Sequence, residues 1–483
     1  MNLSNLAQDA RIAAASLRDA AVGTVNPTVR LGVAGLSRAG KTVFITALVN
    51  ALTKGARLPL FRVHADGRLI GAHLSPQPDD AVPRFAIEEH LLAILDERVW
   101  PESTRRISEL RLVLDFQSES LLGRLGPSRL TLDIVDYPGE WLLDLGLMGK
   151  TYAQWSSEAV ALSRTGTRAR FAADWHKVLE TNAPSDPESE AIVRNSAELF
   201  TDYLRASRTA RHALSALPPG RFLMPGDLEG SPMLTFAPLD VTADAETEPG
   251  TLHAMMERRY DAYVSHVVKP FFREHFARLD RQIVLVDTLA ALDAGPEAVA
   301  DLELALTDVL TAFRHGGNTW LSTLFRPRVD RILFAATKAD MLHHTSHDRL
   351  EAILERLVSK ARERAAFAGA EVDVRAIAAV RATREASVRR GGQELPVIVG
   401  TPEPGERAGG QVFSGEEEVA IFPGDLPEDP ARALAPEGYR GRGDTEDGDL
   451  RFVRFRPPAS DDGRLPHIRM DRVLEFLLGD KLA

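Results

Sequence analysis

The segment from Gly35 to Thr42, G-L-S-R-A-G-K-T, combines two glycines, a lysine and a hydroxyl side chain at fixed spacing. It satisfies the pattern G-x-x-x-x-G-K-[ST], in which a short loop turns its backbone N–H groups inward around phosphate oxygens. Glycine at both ends permits the backbone dihedral angles that this turn requires. The segment predicts a phosphate-binding loop in which Lys41 bridges the β- and γ-phosphates and the Thr42 hydroxyl coordinates Mg²⁺.

The rest of this loop is expected to line the phosphates as well. The residues concerned are Gly35, Ser37, Arg38, Ala39, Gly40 and Val43. Arg38 stands where small residues are common, and two interpretations of it remain open. Its guanidinium either reaches the phosphates as a built-in catalytic arginine or points to solvent.

A second motif, Asp136-Tyr137-Pro138-Gly139, follows an apolar run. After a phosphate-binding loop, an acidic residue in this position holds Mg²⁺ and the glycine N–H senses the γ-phosphate; an ordinary turn is the alternative. The next residue, Glu140, occupies the position of a water-orienting glutamine and is a catalytic candidate. Its charge repels the γ-phosphate unless a cation lies nearby.

Thr337-Lys338-Ala339-Asp340 also follows an apolar run. It matches [NT]-K-x-D, in which the Asp carboxylate accepts hydrogen bonds from the ring N–H and the exocyclic amine of guanine. The Lys stem packs over the base. The alternative is a strand-to-helix turn with a capping Asp. Ala379 and Val380 are candidates for the backbone N–H that meets the guanine oxygen.

A second Mg²⁺ ligand is expected between the phosphate-binding loop and the next strand. Thr104 is the first candidate, with Ser103 and Ser108 as rivals. His343 and His347 lie four positions apart, a spacing that can bind metal on a helix, although an exposed helix start explains them better. Asp287 follows another apolar run and is interpreted as a helix cap rather than a Mg²⁺ ligand.

Short apolar runs that read as buried strands precede these motifs, and helical patterns separate them. The predicted strands are Val29–Ala34, Leu110–Phe116, Leu130–Val135, Gln282–Val286, Arg331–Ala336 and Val372–Ala379. This alternation predicts an α/β fold. Between Lys150 and Asp280 the pattern is helical instead, and after about Thr383 it becomes short alternating runs typical of hairpins.

Composition narrows the function classes. The 483 residues carry 58 Lys and Arg against 69 Asp and Glu, a net charge of −11, which disfavours broad binding to nucleic acid. The absence of cysteine excludes disulfides and every metal site that needs thiolate ligands. No secretory signal and no apolar run long enough to span a membrane is found in the sequence, so a cytoplasmic protein is expected.

In combination, the motifs resemble the YcjX-like family of bacterial P-loop proteins. The resemblance rests on GLSRAGKT followed by FITALVNAL, and on DYPGEW, RQIVLVDTLAALDAG, FAATKAD and AAVRAT. It implies a Ras-like nucleotide-binding core with a helical insertion, and a link to bacterial stress responses. Members are often labelled ATPases, whereas the TKAD motif of this chain favours guanine.

The expected organisation is a Ras-like P-loop NTPase core interrupted by a helical insertion and a β-rich C-terminal insertion. The predicted segments are an N-terminal helix (1–27), the two core halves (28–149 and 281–385), the helical insertion (150–280), the β-rich insertion (386–465) and a closing core helix (466–483).

The sequence thus predicts a Mg²⁺-dependent protein that binds GTP and GDP, hydrolyses GTP slowly at the β–γ bond and acts as a stress-linked switch. The alternatives are an ATPase on the same loop and a nucleotide-binding scaffold without turnover. An unidentified protein partner is expected, with the cytoplasmic face of the inner membrane as a candidate location. The oligomeric state stays open.

Overall fold

A seven-stranded sheet forms the centre of the fold. The computed structural model describes residues 27–36, 38–102, 106–119, 127–209, 212–311, 329–359, 362–363, 369–390, 393–408, 410–435, 450 and 452–483. The strands of the sheet are β1 (Thr28–Gly35), β2 (Leu69–Ser75), β3 (Ser108–Phe116), β4 (Ser128–Asp136), β5 (Arg281–Val286), β6 (Arg331–Ala336) and β7 (Glu371–Ala376). Their spatial order is β2-β3-β4-β1-β5-β6-β7.

Six of these strands point in the same direction, and β3 is antiparallel to both of its neighbours, β2 and β4. The central strands read as continuous apolar runs because both faces of the sheet are covered; all six residues of β5 are buried. The six predicted strands are present, although β7 ends at Ala376 rather than Ala379. The sequence analysis missed β2, an edge strand with three exposed residues and no continuous apolar run.

Helices of the core follow the strands on both faces of the sheet. They are α1 (Lys41–Thr53), α2 (Arg62–Ala65), α3 (Ile87–Leu92) and α4 (Glu140–Leu145), and, after β5, α12 (Thr288–Ala294), α13 (Pro296–Thr311) and α14 (His347–Leu357). Helix α1 begins directly after the phosphate-binding loop, and α4 begins directly after the Asp136–Gly139 motif. Both motifs therefore lie where a strand passes into a helix.

The region between α4 and β5 is helical, as the sequence pattern indicates. Its helices are α5 (Tyr152–Ser163), α6 (Gly166–Phe171), α7 (Ala173–Thr181), α8 (Glu190–Ser207), α9 (Gly220–Leu223), α10 (Leu252–Tyr263) and α11 (Lys269–Glu274). Buried aromatic rings join them; Trp155 stacks on Tyr260, with ring centroids 5.2 Å apart. Their apolar residues belong to the same core cluster as one face of the sheet, so the helices pack onto the core.

The C-terminal region adds a small antiparallel sheet. Strands β8 (Arg384–Arg390), β9 (Gln393–Gly400) and β12 (Val419–Ile421) form it, and β10 (Arg407–Ala408) pairs with β11 (Gln411–Val412). Helix α15 (Pro430–Leu434) follows, and α16 (Met470–Leu478) closes the chain against the core cluster that contains α1. The predicted helix over 3–22 lies outside the described residues, and the domain boundaries given above stay predictions.

Candidate functional site

The phosphate-binding loop connects β1 to α1 with two residues in left-handed conformation. Arg38 has φ of 61° and Gly40 has φ of 81°, and the helix begins at the next residue, Lys41. The loop is closed by the N–H of Ala39, which donates to the carbonyl of Leu36 at 3.0 Å. Such turns present successive N–H groups to an anion at the positive end of a helix. Ser37 lies outside the described residues.

Lys41 forms an ion pair with Asp136, the last residue of β4. The Asp136 side chain is 1% exposed, so its charge is compensated by Lys41 rather than by water. The hydroxyl of Ser108, at the start of the neighbouring β3, donates to the other carboxylate oxygen at 3.4 Å. The structure thus brings together the lysine and the acidic residue that the two separate motifs predicted.

Oxygen ligands suited to Mg²⁺ gather at this point. Asp136 offers a carboxylate, and the Thr42 hydroxyl lies 3.5 Å from the carbonyl of Glu102, which brings the segment ahead of β3 against the loop. This donor set fits Mg²⁺. Thr104 and its rival Ser103 lie outside the described residues, whereas Ser108 already contacts Asp136.

The Asp136–Gly139 motif lies directly against the phosphate-binding loop. A Cβ atom added at Gly139 would overlap the backbone carbonyl of Gly35. Only glycine allows this approach. The backbone of Gly139 and the start of the loop are therefore in direct contact, as expected of a motif that reports on bound phosphate.

The catalytic candidate Glu140 is the first residue of α4 and is 8% exposed. Its carboxylate forms a 2.6 Å ion pair with Arg208, which follows the last residue of α8 in the helical region. The structure thus supplies the cation that the sequence analysis required beside Glu140. No sequence motif singled out Arg208, because it comes from a region with no recognisable pattern of chemistry.

Every residue of α4 is buried, and residues 220–263 of the helical region hold it. The Trp141 indole N–H donates to the carbonyl of Met224 at 3.0 Å, and the Arg221 guanidinium lies 3.2 Å from the centre of a Trp141 ring. Two hydrogen bonds of 2.6 Å reach Asp144, from the Gly220 N–H and the Tyr263 hydroxyl. Burial raises the pKa of Asp144 to about 6, although both bonds and Arg221 oppose the shift.

The base-recognition candidates follow β6. They lie at the same edge of the sheet as the phosphate-binding loop, but farther along that edge. Lys338 adopts left-handed backbone geometry with φ of 61°, and its ammonium pairs with Asp287 at the end of β5. Asp340 is buried, and its carboxylate accepts from the Ala382 N–H at 2.9 Å. Burial raises the pKa of Asp340 to about 6. Thr337 begins this turn with its N–H bonded to the carbonyl of Val286 at 3.0 Å.

Ala379 and Val380 follow β7 beside this turn. The preceding residue, Ala378, donates its N–H to the carbonyl of Ile468 at 3.2 Å, and the Ala339 N–H donates to the carbonyl of Ile377 at 3.0 Å. These bonds tie the two base-recognition segments to each other and to the segment that leads into α16. Val380 is buried in the core and Ala379 is half-buried.

Two weaker candidates have structural roles. The carboxylate of Asp287 accepts from the Ala290 N–H at 3.1 Å and so caps α12, as the sequence analysis favoured. His343 precedes α14, so it does not share a helical turn with His347, whose buried ring contacts the carbonyl of Leu342. The helical spacing that would let the two histidines share a metal, already the less favoured interpretation, is therefore absent. The favoured interpretation of an exposed helix start is wrong for His347, which begins the helix but is buried. Potential ligand atoms of His343, His344 and Glu385 do lie within 4.8 Å of one another.

The described strand order, the phosphate-binding loop and the acidic residues after β4 and β6 define a P-loop protein with a Ras-like fold. The chain belongs to the YcjX-like family: a family model described as "YcjX-like family, DUF463" matches residues 29–482. A relative in Escherichia coli K12, named Ras-like GTPase YcjX, is 39% identical over 471 residues, which cover 95% of this chain and 97% of the relative. A relative of the same name in Shewanella oneidensis MR-1 is 33% identical over 488 residues, covering 95% and 96%.

Among the residues that the structure describes, no helix combines the length and the apolar character that crossing a bilayer requires.

Proposed function

We propose that this chain is a Mg²⁺-dependent GTP-binding protein that hydrolyses GTP slowly and acts as a switch linked to stress responses. The observation that carries the proposal is the joint placement of two acidic residues at one edge of the sheet. Asp136 pairs with the loop lysine Lys41, and Asp340 lies buried beyond the neighbouring strands. The names of both relatives support the same activity.

Asp340 is the residue that distinguishes guanine from adenine in this proposal. Its carboxylate accepts from the ring N–H and the exocyclic amine of guanine, an arrangement that adenine does not offer. A hydrogen bond to a charged group contributes roughly 1.5–3 kcal/mol. The pair implies at least about a hundred-fold preference for GDP over ADP.

Mg²⁺ would be held by Thr42 and Asp136, with Thr104 as the candidate third ligand. When bound, the ion neutralises charge on the β- and γ-phosphates. In the nucleotide-bound state Lys41 would pair with the phosphates, and Asp136, which is paired with Lys41 in this structure, would hold the metal. Both buried groups keep an opposite charge in either state, which avoids the cost of an unpaired buried ion.

Slow turnover is expected because Glu140 carries a full charge beside the γ-phosphate, where a glutamine would be neutral. The buried ion pair with Arg208 offsets that charge and restricts the carboxylate. Turnover then depends on how α4 and the helical region respond to the bound phosphates. Such dependence is the property of a switch. We propose that an unidentified protein partner binds one of the two states, in the cytoplasm or at the cytoplasmic face of the inner membrane.

The proposal is tested by titrating GDP, ADP and XDP against the unaltered protein and Asp340→Asn. We expect the unaltered protein to prefer GDP by at least about a hundred-fold, and the variant to shift its preference towards xanthine, whose carbonyl replaces the guanine amine. Asp348→Asn is the matched control, because Asp348 is 86% exposed and pairs with Arg469. Equal GDP and ADP affinities in the unaltered protein would contradict guanine recognition and favour an ATPase.

A further inference from the structure

Arg208 links the helical region to the phosphate end of the site. It follows α8, and its guanidinium forms the 2.6 Å ion pair with Glu140, the residue directly after the Asp136–Gly139 motif. The two side chains are 21% and 9% exposed, so both charges lie largely away from bulk water. Such a pair is sensitive to a further charge, because little solvent screens it.

A cavity of about 440 Å³ separates the phosphate-binding loop from the end of α8. Arg38 of the loop, Arg205 and Arg208 line it, together with the single carboxylate of Glu102. Burial lowers the pKa of Arg38, and the positive charges of Arg208 and Arg454 add to that effect. Three guanidinium groups and one carboxylate thus line a space beside the phosphate-binding loop, so an anion in it would meet an excess of positive charge.

We propose that Arg208 is the arginine that stabilises the transferred γ-phosphoryl group, supplied by the chain's own helical region. The assignment rests on the proposed GTP hydrolysis and adds a catalytic residue to it. It replaces the sequence-based hypothesis that Arg38 has this role. It also explains how a carboxylate can occupy the water-orienting position. Arg208 pairs with Glu140 and compensates its negative charge.

The neighbouring arginines are engaged elsewhere. Arg205 is 63% exposed and pairs with Asp202 on its own helix. Arg454 pairs with Glu406 and Glu403 in the C-terminal region. Arg221 lies over Trp141. Arg208, in contrast, forms its described ion pair with Glu140, the residue next to the proposed γ-phosphate sensor Gly139.

In the reaction, a water oxygen orientated by Glu140 forms a bond to the γ-phosphorus of GTP. The bond from that phosphorus to the β–γ bridging oxygen breaks, and GDP leaves with the electron pair. One water proton passes to a γ-phosphate oxygen, which gives GDP and dihydrogen phosphate. Arg208 stabilises the negative charge on the equatorial oxygens while these bonds exchange, an effect worth about 10³-fold or more in rate.

The test compares Arg208→Ala with the matched control Arg194→Ala, on the preceding helix α8 but outside the cavity lining, where Arg194 is 66% exposed and pairs with Glu190. In single-turnover hydrolysis started by adding Mg²⁺, Arg208→Ala should lower the rate by about 10³-fold, while GTP affinity stays within about threefold. Arg208→Lys should fall between, because lysine keeps the charge but not the forked donors. GDP with aluminium fluoride, which mimics the transferred group, should bind to the unaltered protein and Arg194→Ala but not to Arg208→Ala.

A second comparison distinguishes the loss of a catalytic group from misfolding, which would result if Glu140 stayed buried without its partner. Removing Arg208 from a Glu140→Gln background leaves no such carboxylate, and the rate should still fall by about 10³-fold relative to Glu140→Gln. Equal rates for Arg208→Ala and Arg194→Ala would overturn the assignment. So would a double variant that hydrolyses GTP at the rate of Glu140→Gln, which would make Arg208 merely a neutraliser of Glu140. Absence of turnover in the unaltered protein would overturn the proposed hydrolysis as well, and is recognised before any variant is made.

Discussion

The candidate site has a base end, around Lys338 and Asp340, and a phosphate end, around Lys41 and Glu140, and the two are built differently. At the base end, Lys338 is held by Asp287 from the adjacent β5, and Asp340 by the segment that follows the adjacent β7. At the phosphate end, α4 is buried completely, and the groups that hold it come from the helical region. The base end is a property of the core sheet, whereas the phosphate end needs a second region of the chain.

This difference indicates where information about the nucleotide can travel. In the proposed function, guanine and adenine are distinguished within the core, so base recognition need not disturb the helical region. A change at the γ-phosphate would reach Gly139 and Glu140, and both are in close contact with other parts of the chain. Closely packed contacts rearrange between discrete states rather than deforming smoothly. The helical region is therefore the expected first reader of the triphosphate state.

The largest effect is expected from Lys41→Ala, which affects the phosphate end. Loss of charge-assisted bonds to two phosphates should weaken GDP and GTP binding on the order of 10²–10³-fold. The empty variant should also lose stability, because Asp136 stays buried without its partner. Titration calorimetry measures the affinity, and Lys54→Ala, an exposed lysine after the same helix, is the control. Unchanged GTP affinity in a folded variant would contradict the phosphate-binding assignment.

Glu140→Gln should separate catalysis from binding at the same end. A residue that orientates water acts in the transition state, so turnover should change by at least about tenfold while GTP affinity stays within about threefold. Single-turnover rates and equilibrium titrations measure the two quantities. If Glu140→Gln and Glu140→Ala both hydrolyse GTP at the wild-type rate, another group positions the water.

Lowering the pH should weaken the base end selectively. The pKa of Asp340 is raised to about 6 by burial, and guanine requires its ionised form. Protonation removes an acceptor as the pH falls, so GDP affinity should be about tenfold weaker at pH 5 than at pH 7. Titrating XDP against Asp340→Asn corrects for protonation of the phosphates. If GDP affinity for the unaltered protein and XDP affinity for Asp340→Asn change in parallel with pH, protonation of Asp340 does not control GDP binding.

The smallest effect is expected where the helical region contacts α4. A Cβ atom added at Gly220 would overlap the carbonyl of Glu140, so Gly220→Ala should cost about 1–3 kcal/mol in the free energy of unfolding. Urea denaturation measures this, with Gly71→Ala as the control, because a Cβ atom there meets no atom within 4 Å. The preference for guanine should persist while hydrolysis slows. Equal free energies of unfolding for Gly220→Ala and Gly71→Ala would mean that the contact between Gly220 and Glu140 accommodates a Cβ atom without destabilising the fold.

The contrast also explains what could be predicted from the sequence. The inner strands of the sheet are recognisable as apolar runs because both faces of the sheet are covered there, and the edge strand β7 still buries every second residue. The other edge strand, β2, has no continuous apolar run, and three of its seven residues are exposed. Lys41, Asp136 and Asp340 could be predicted as site residues because each belongs to a fixed motif at the end of a strand, and such motifs encode local geometry.

Arg208, Gly220 and Tyr263 could not be found in this way. Their roles arise only when distant segments pack against α4, and the spacing of these residues along the chain carries no signal. The residue types alone did indicate one gap: a carboxylate at Glu140 required a nearby cation, but the sequence did not show which residue supplies it. His343 illustrates the opposite error, because its spacing from His347 suggested a helix that begins only at His347.

Phosphate release from GTP and ATP, measured side by side with the unaltered protein, tests the central claim most directly. We expect Mg²⁺-dependent release from GTP, at least about a hundred-fold greater kcat/KM than for ATP, and loss of release in Lys41→Ala. Chelation of Mg²⁺ should abolish it. Equal or faster release from ATP, or release from GTP that persists in Lys41→Ala, would contradict a guanine-specific hydrolase built on this site.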